Sequence, residues 1–272
     1  SYPMARENAL MMYLNDIKQY ANILTGSNNI LAIEYLKAIK KLKSKLNPIG
    51  IRREKVLYND EIIIDDFASA TAIRKMIATG QFSDIQKVMP KSSYALLADE
   101  LRKGHYVLDL SKFQKEIIYN LRKMSVEEIA QLVDVSEGLE NAIKNAANSS
   151  NNLVDFVNIV KSKRYTQTRI QRILIYALLG ITNSKMLAFK KAVPYARVLG
   201  FNENGKQLIS QIAKKNKKVQ IVTSVKKYMD ESKNKVLKEM LETDILATNV
   251  YTLGYEKDSW SNLDYTNKLV TM

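Results

Sequence analysis

The chain has 272 residues, 46% hydrophobic and 26% charged, with no cysteine, one histidine and a formal net charge of +14. Without cysteine there is no disulfide framework, no thiolate nucleophile and no Cys-based metal site, and one histidine forbids any paired-His metal or catalytic motif. No apolar run approaches the roughly 20 residues that span a bilayer, and no stretch reads as a secretory signal, so no membrane role is expected and a cytoplasmic setting is.

Taken in order, residues 4–24 have helical spacing, with Leu10, Tyr13, Leu14 and Ile17 on one stripe. Gly26-Ser27-Asn28-Asn29 reads as a turn and cap, and a second helix is expected from about Ile30 to Leu46, stopped by Asn47-Pro48. Ile49 to Leu57 reads as a strand, while Ile62-Ile63-Ile64 is too short to assign. Ser69 suits the N-cap of a helix through Ile77 that Gly80 ends. Beyond Pro90 the pattern turns helical, with helices expected over 91–103, 111–123, 126–133, 137–147, 152–161 and 166–179. Ser125 and Glu128, three apart, form a capping-box signal. Short strands are expected within Val193–Phe201 and Val219–Val225 around a helix 206–215, then a last helix over 231–246 and an extended tail over 247–272.

Charge is distributed unevenly. Between Lys161 and Lys227 there are 16 Lys/Arg and a single acid, Glu203. A field so one-sided attracts polyanions, and nucleic acid is the favoured partner. Within it, Lys161-Ser162-Lys163-Arg164-Tyr165-Thr166-Gln167-Thr168-Arg169-Ile170-Gln171-Arg172 is organised. Treated as helical, Lys161, Arg164, Thr168 and Arg172 share a face, Ile170, Ile173, Leu174 and Ala177 form the docking stripe, and Tyr165 is available for stacking.

Three weaker constellations lie earlier. Ser69-Ala70-Thr71-Ala72-Ile73-Arg74 places two hydroxyls and a guanidinium at a helix N-terminus, where free N–H groups suit a phosphate. The same residues also suit a plain cap. Asn28-Asn29 offers side-chain amides to a ribose or base, or simply makes a turn. Arg52 and Arg53 point to opposite faces of the expected strand, so at most one of them meets a phosphate. Asp65-Asp66 reads as a solvated pair, and His105 is assigned no role.

Together these blocks resemble the bacterial tRNA-Met cytidine acetate ligase family. The resemblance rests on Ser27-Asn28-Asn29-Ile30-Leu31 with Glu34-Tyr35, Arg53 ahead of Tyr58-Asn59-Asp60, the Ser69–Arg74 block and the Lys163–Arg172 block, with Asn249-Val250-Tyr251 and Asp264-Tyr265 late in the chain. It spans nearly the whole sequence. It implies a mainly α chain: a C-terminal remnant of a Rossmann-like α/β nucleotidyltransferase domain over 1–90, then a mostly helical tRNA-binding domain over 91–272. It implies activation of acetate by ATP, with Mg2+, as acetyl-adenylate, and acetyl transfer to the wobble cytidine of elongator tRNA-Met to give N4-acetylcytidine. Asn28, Arg53, Ser69, Thr71 and Arg74 would then meet ATP. Lys161, Lys163, Arg164, Tyr165, Thr168, Arg169 and Arg172 would face tRNA.

The family's His-x-Gly-His-type motif needs two histidines and this sequence has one. The expectation is therefore a C-terminal fragment that binds tRNA without catalysing alone. A homo-oligomer joined through an incomplete N-terminal domain is possible on this reading. A non-catalytic RNA-binding protein is the alternative.

Overall fold

The structure, a computed structural model, describes residues 2–13, 23, 26–51, 63–64, 66–162, 164–215 and 218–272. They fall into two units, Ser1–Ala98 and Asp99–Met272. Helix dominates both, with only two-residue strands.

In the first unit, α1 (Tyr2–Tyr13) is tied to α2 (Ser27–Lys41) by Arg6 and Glu34 at 3.2 Å. The remainder of the first expected helix, 14–24, lies outside the described residues except for Ile23. Helix α2 begins at Ser27, capped by Gly26, so Asn28 and Asn29 sit in its first turn and not in a loop ahead of it. It ends at Lys41, short of the expected Leu46, because Lys43 adopts a left-handed φ of 49°. The Ser44 N–H then turns back to the Ile39 carbonyl, and the helix stops without waiting for Pro48. No residue of α2 is buried, and Leu31, Tyr35 and Leu36 are 56%, 65% and 49% exposed. Of the strand expected over 49–57, Ile49–Ile51 carries no strand pairing and the rest lies outside the described residues.

Ile63–Ile64 (β1) pairs antiparallel with Phe67–Ala68 (β2). Helix α3 (Ala70–Ala78) follows, then α4 (Phe82–Lys87), which the sequence did not suggest, and α5 (Lys91–Lys103), which carries the unit boundary. Ala72 and Met76 of α3 meet Ile85 of α4 in a small core. Gly80, at φ 73°, makes the turn between these two helices.

The second unit opens with a 3-10 turn, Leu110–Phe113, that runs into α6 (Gln114–Lys123). Then come α7 (Val126–Ala130), α8 (Leu139–Ser149), α9 (Leu153–Val160), α10 (Gln167–Leu179) and α11 (Asn183–Lys191). Polar caps set the starts. Ser125 forms the full capping box with Glu128, and Asn152, Thr166 and Thr182 each accept an N–H of the next turn. Apolar residues at helical spacing supply one core: Ile117 and Leu121 of α6, Leu139 and Ile143 of α8, Phe156 of α9, and Ile170, Ile173 and Leu174 of α10.

Helix α7 stops three residues before the expected Val133. Its chain instead enters a loop in which Leu132 bridges Thr182, and Asp134, Glu137 and Gly138 take left-handed φ values of 66°, 59° and 84°.

Two cations lock α6 to α8. Arg122 of α6 donates to the Ala147 and Ser150 carbonyls at 2.7 and 3.0 Å, closing the end of α8. Lys144 of α8 donates to the Arg122 carbonyl at 2.6 Å, and also to those of Leu121 and Met124, closing the end of α6. Each helix thus caps the C-terminus of the other, where unpaired carbonyls concentrate negative charge.

The rest of the unit is β3 (Ala196–Arg197), β4 (Gly200–Phe201), α12 (Glu203–Lys215), β5 (Ile221–Val222), α13 (Val225–Glu231), α14 (Lys235–Thr252), α15 (Leu263–Thr266) and β6 (Val270–Thr271). The expected helix over 231–246 begins only at Lys235, and its first residue, Glu231, instead ends α13. Ser232–Asn234 breaks the run, Asn234 caps α14, and α14 continues six residues into what read as an extended tail. Strands β3 and β5 are parallel, as are β4 and β6. Val222 and Val225 pack on Leu241 and Ile245 of α14 with Tyr195 and Tyr228 at the margin. Burial, then the Asp244 carboxylate that accepts its hydroxyl, raises the Tyr195 phenol well above its ordinary pKa and keeps it a donor at neutral pH. Among the described residues no helix is long and apolar enough to cross a membrane.

Replacing Lys144 with Met keeps the aliphatic stem and strands the α6 carbonyls. Urea unfolding is expected to show a loss of about 1–3 kcal/mol with an unchanged slope, while Lys123→Met, on an exposed position, stays within about 0.5 kcal/mol of the parent.

Candidate nucleotide and nucleic-acid sites

The first candidate is the start of α3. Ser69 is 1% exposed and its hydroxyl accepts the Ala72 N–H at 3.0 Å, so the serine oxygen is committed to the cap. Thr71 lies half-buried in the first turn and Arg74 is exposed one turn on. The remaining first-turn N–H groups project from the helix end by the geometry of any α-helix. An anion approaching there would meet those N–H groups and the Arg74 guanidinium, with Ser69 holding the helix end in place. Asn28 is exposed on α2, a helix that contributes nothing to the α3–α4 core. Arg53 lies outside the described residues, as does Asp65; Asp66 is exposed. Ser69, Thr71 and Arg74 are thus one local group at the start of α3, while Asn28 stands in the first turn of α2.

The second candidate is the basic block of the second unit, whose local geometry differs from the helical face expected. Lys161 is the C-cap of α9, with extended backbone, and α10 begins only at Gln167. Ser162 and Arg164–Thr166 lie between the helices because Thr166 takes the N-cap role, accepting the Arg169 N–H. Lys161, Arg164, Thr168 and Arg172 therefore do not lie along one helix. Lys163 lies outside the described residues.

What organises the block is the left-handed loop after α7. Arg169 donates twice to the Asp134 carbonyl, at 3.0 and 2.7 Å, and to the Ser136 hydroxyl at 2.9 Å. Arg172 pairs with the Asp134 carboxylate at 3.1 Å, and Arg164 with Glu137 at 3.0 Å. Tyr165 is half-buried against the core, its ring 5.1 Å beneath the Arg169 guanidinium, and its hydroxyl reaches weakly toward the Ser136 and Glu137 carbonyls. Thr168 shares a hydrogen bond with Thr166. Arg164 and Arg172 keep 66% and 53% of their side chains exposed, so both retain N–H groups facing water.

Sequence reasoning missed Asp134, Ser136 and Glu137. The available signal was the run Asp134-Val135-Ser136-Glu137-Gly138, rich in turn formers, between two apolar stretches.

Elsewhere in the acid-poor segment, Lys185 reaches Glu239 at 3.7 Å and Arg197 is held by Asp264. Among the described residues Lys161, Lys190, Lys191, Lys214, Lys215, Lys226 and Lys227 are exposed and have no ion-pair partner. The uncommitted positive charge therefore sits on lysines around α11, α12 and α13 more than on the arginine block. Among the described residues no cluster of three His, Asp or Glu suits a metal ion.

Arg169 is anchored in a partly buried loop and Arg172 at the surface, so their substitutions should separate. Arg169→Ala is expected to lower stability by about 1–3 kcal/mol in urea unfolding, and Arg172→Ala by only about 0.2–1 kcal/mol.

Comparison with known proteins covers the whole chain. The HIGH Nucleotidyl Transferase family model matches residues 1–265. A protein of Acetivibrio thermocellus named tRNA(Met) cytidine acetate ligase is 39% identical over 100% of this chain and 67% of its own length. One of the same name from Thermoanaerobacter pseudethanolicus is 39% identical over 100% and 66%. The crystal structure of apo Thermotoga maritima TmcAL superposes with a TM-score of 0.89 at 26% identity, covering 100% of this chain and 67% of that one. A second form, bound with alpha-thio ATP, gives 0.86 at 25% identity over 100% and 66%. The chain thus spans about two thirds of the length of the curated relatives it matches. It belongs to the HIGH nucleotidyl transferase family, among the tRNA(Met) cytidine acetate ligases.

Proposed function

We propose that this chain is part of an ATP-dependent ligase that activates acetate as acetyl-adenylate and acetylates the wobble cytidine of elongator tRNA-Met to N4-acetylcytidine. The observation that carries the reading is the match over the whole chain to relatives bearing that ligase name. The first unit is read as a Rossmann-like nucleotidyltransferase remnant. Its α2, with no buried residue, supports this, since an amphipathic helix of such a domain needs a sheet to cover it. The same exposed Leu31, Tyr35 and Leu36 support a homo-oligomer through this unit.

ATP is assigned to Asn28, Arg53, Ser69, Thr71 and Arg74. The α3 N-terminus suits its phosphates, and the TmcAL form bound with alpha-thio ATP supports the nucleotide class. Mg2+ would reach this chain through phosphate oxygens, since Mg2+ keeps most of its waters and needs few protein carboxylates. Bound ATP supplies the leaving group for acetate activation; the chain's own residues hold the phosphates.

The second unit is read as the helical tRNA-binding domain, with Lys161, Lys163, Arg164, Tyr165, Thr168, Arg169 and Arg172 at the RNA. The exposed lysines of α11–α13 add positive charge to the same unit. With one histidine in 272 residues, this chain by itself is expected to bind tRNA without forming acetyl-adenylate.

Binding to elongator tRNA-Met across a salt series tests the reading. Log K is expected to fall steeply with log salt, at a slope of about −0.7 to −0.9 per phosphate neutralised. Lys190→Ala/Lys191→Ala/Lys214→Ala/Lys215→Ala, which removes cations without anchoring roles, should flatten the slope by up to about 3. No binding at moderate salt, or an unchanged slope, overturns the tRNA surface; acetyl-adenylate formed by this chain alone overturns its catalytic silence.

A further inference from the structure

The end of α10 and the C-terminal half of α14 are free of charge in an otherwise strongly basic chain. No Asp, Glu, Lys or Arg occurs from Ile173 to Ser184 or from Ile245 to Tyr255. Between these stretches and the segment 107–113 an apolar groove of about 350 Å³ opens, room enough for a large side chain. Leu110, Phe113, Leu178 and Val250 line it, and among the described residues Asp109 is the one charged group in its walls. That carboxylate is committed: it accepts the Ser111 N–H at 2.7 Å and caps the 3-10 turn.

The rims of the groove are open to water. Ile175 on α10 and Tyr251 on α14 are 41% and 46% exposed. Leu253, the C-cap of α14, is 59% exposed. Its neighbour fixes it in place. Gly254 lies so close to Phe113 and Val107, both in the groove wall, that a Cβ there would fall 2.7 and 2.9 Å from their side chains. An exposed apolar side chain and an apolar hole are therefore held side by side at the end of one helix.

An open apolar surface of this kind marks a contact site. With no cation in its walls the groove offers nothing to a phosphate, so RNA and anionic lipid are poor occupants. A knob and a hole on one face complement a second copy of that face, because a two-fold axis carries each knob to the other's hole. The lack of like charge also lets two copies of a chain of net charge +14 meet here. We propose that this face is a self-association surface, in which Leu253 of each copy enters the groove of the other and Ile175 and Tyr251 close over it. The pairing is distinct from the one drawn from α2 of the first unit, and it does not depend on the tRNA reading.

Sedimentation velocity of the full chain over a concentration series tests the pairing, with circular dichroism reporting that each variant is folded. The weight-average mass is expected to climb from one chain toward two as concentration rises. Leu253→Lys, at a helix C-terminus that favours a cation, and Ile175→Lys, on an exposed rim, should each weaken association by about tenfold or more. Leu208→Lys on α12, another exposed apolar position, should leave it unchanged, and with Leu31→Lys, which removes the contribution of α2, the pairing should persist. Raising the salt, which weakens binding to a polyanion, should leave the apolar contact intact. A monomer at every concentration overturns the pairing; an apolar dye that then binds, and that Ile175→Lys expels, assigns the groove to a small molecule instead. Association that survives both groove variants, that Leu31→Lys abolishes or that salt dissolves lies elsewhere on the chain and overturns it too.

Discussion

The exchange of cations between α6 and α8 is the constraint on which the second unit depends. Helix C-termini gather unpaired carbonyls, and here each helix lends a basic side chain to the other. The exchange ties the ends of the two helices together while Ile117, Leu121 and Ile143 share one core between them. That core in turn presents α9 and α10 with a single apolar trough, and α10 carries the arginines that hold the loop after α7. Two of the chain's basic residues are consequently spent on architecture, although a count of charges would assign them to a partner.

The same distinction runs through the basic block. Arg169 is bonded to a carbonyl and a hydroxyl, and Arg172 and Arg164 face acids drawn from 27 to 38 residues earlier in the chain. Proximity in sequence placed these arginines in an acid-poor field; proximity in space returns acids to them. Lysines on short, exposed helices escape that compensation because no loop folds back over them. A field built from such lysines is diffuse and salt-sensitive, and it suits a phosphate backbone read by charge better than a single base read by geometry.

Much of the fold was legible because its determinants are local. Ser69 and Ser125 are side-chain caps whose oxygen bonds within three residues, and the structure has both in that role. The stripes of α6, α8 and α10 follow from apolar spacing alone. The failures share a cause as well. Lys43 adopts left-handed backbone that its residue type does not announce, Asp134 does so within a run of turn formers, and each ends or redirects a segment the apolar pattern would have extended. The break at Ser232–Asn234 is a cap hidden inside a run of helix formers. Of the candidate sites, the α3 group was legible as a cap, whereas the loop that seats Arg169 and Arg172 requires tertiary pairing that no single stretch encodes.

The pairing of β4 with β6 carries a consequence for synthesis. Strand β6 lies 70 residues further along the chain, since Gly200 sits opposite Val270. A ribosome adding about 5–20 residues each second leaves β4 waiting for several seconds before β6 exists. Throughout that interval the strand has an open edge, the kind of surface that recruits stray chains. Gly200 lets β6 come in close: a side chain there would meet the Val270 carbonyl at 2.8 Å.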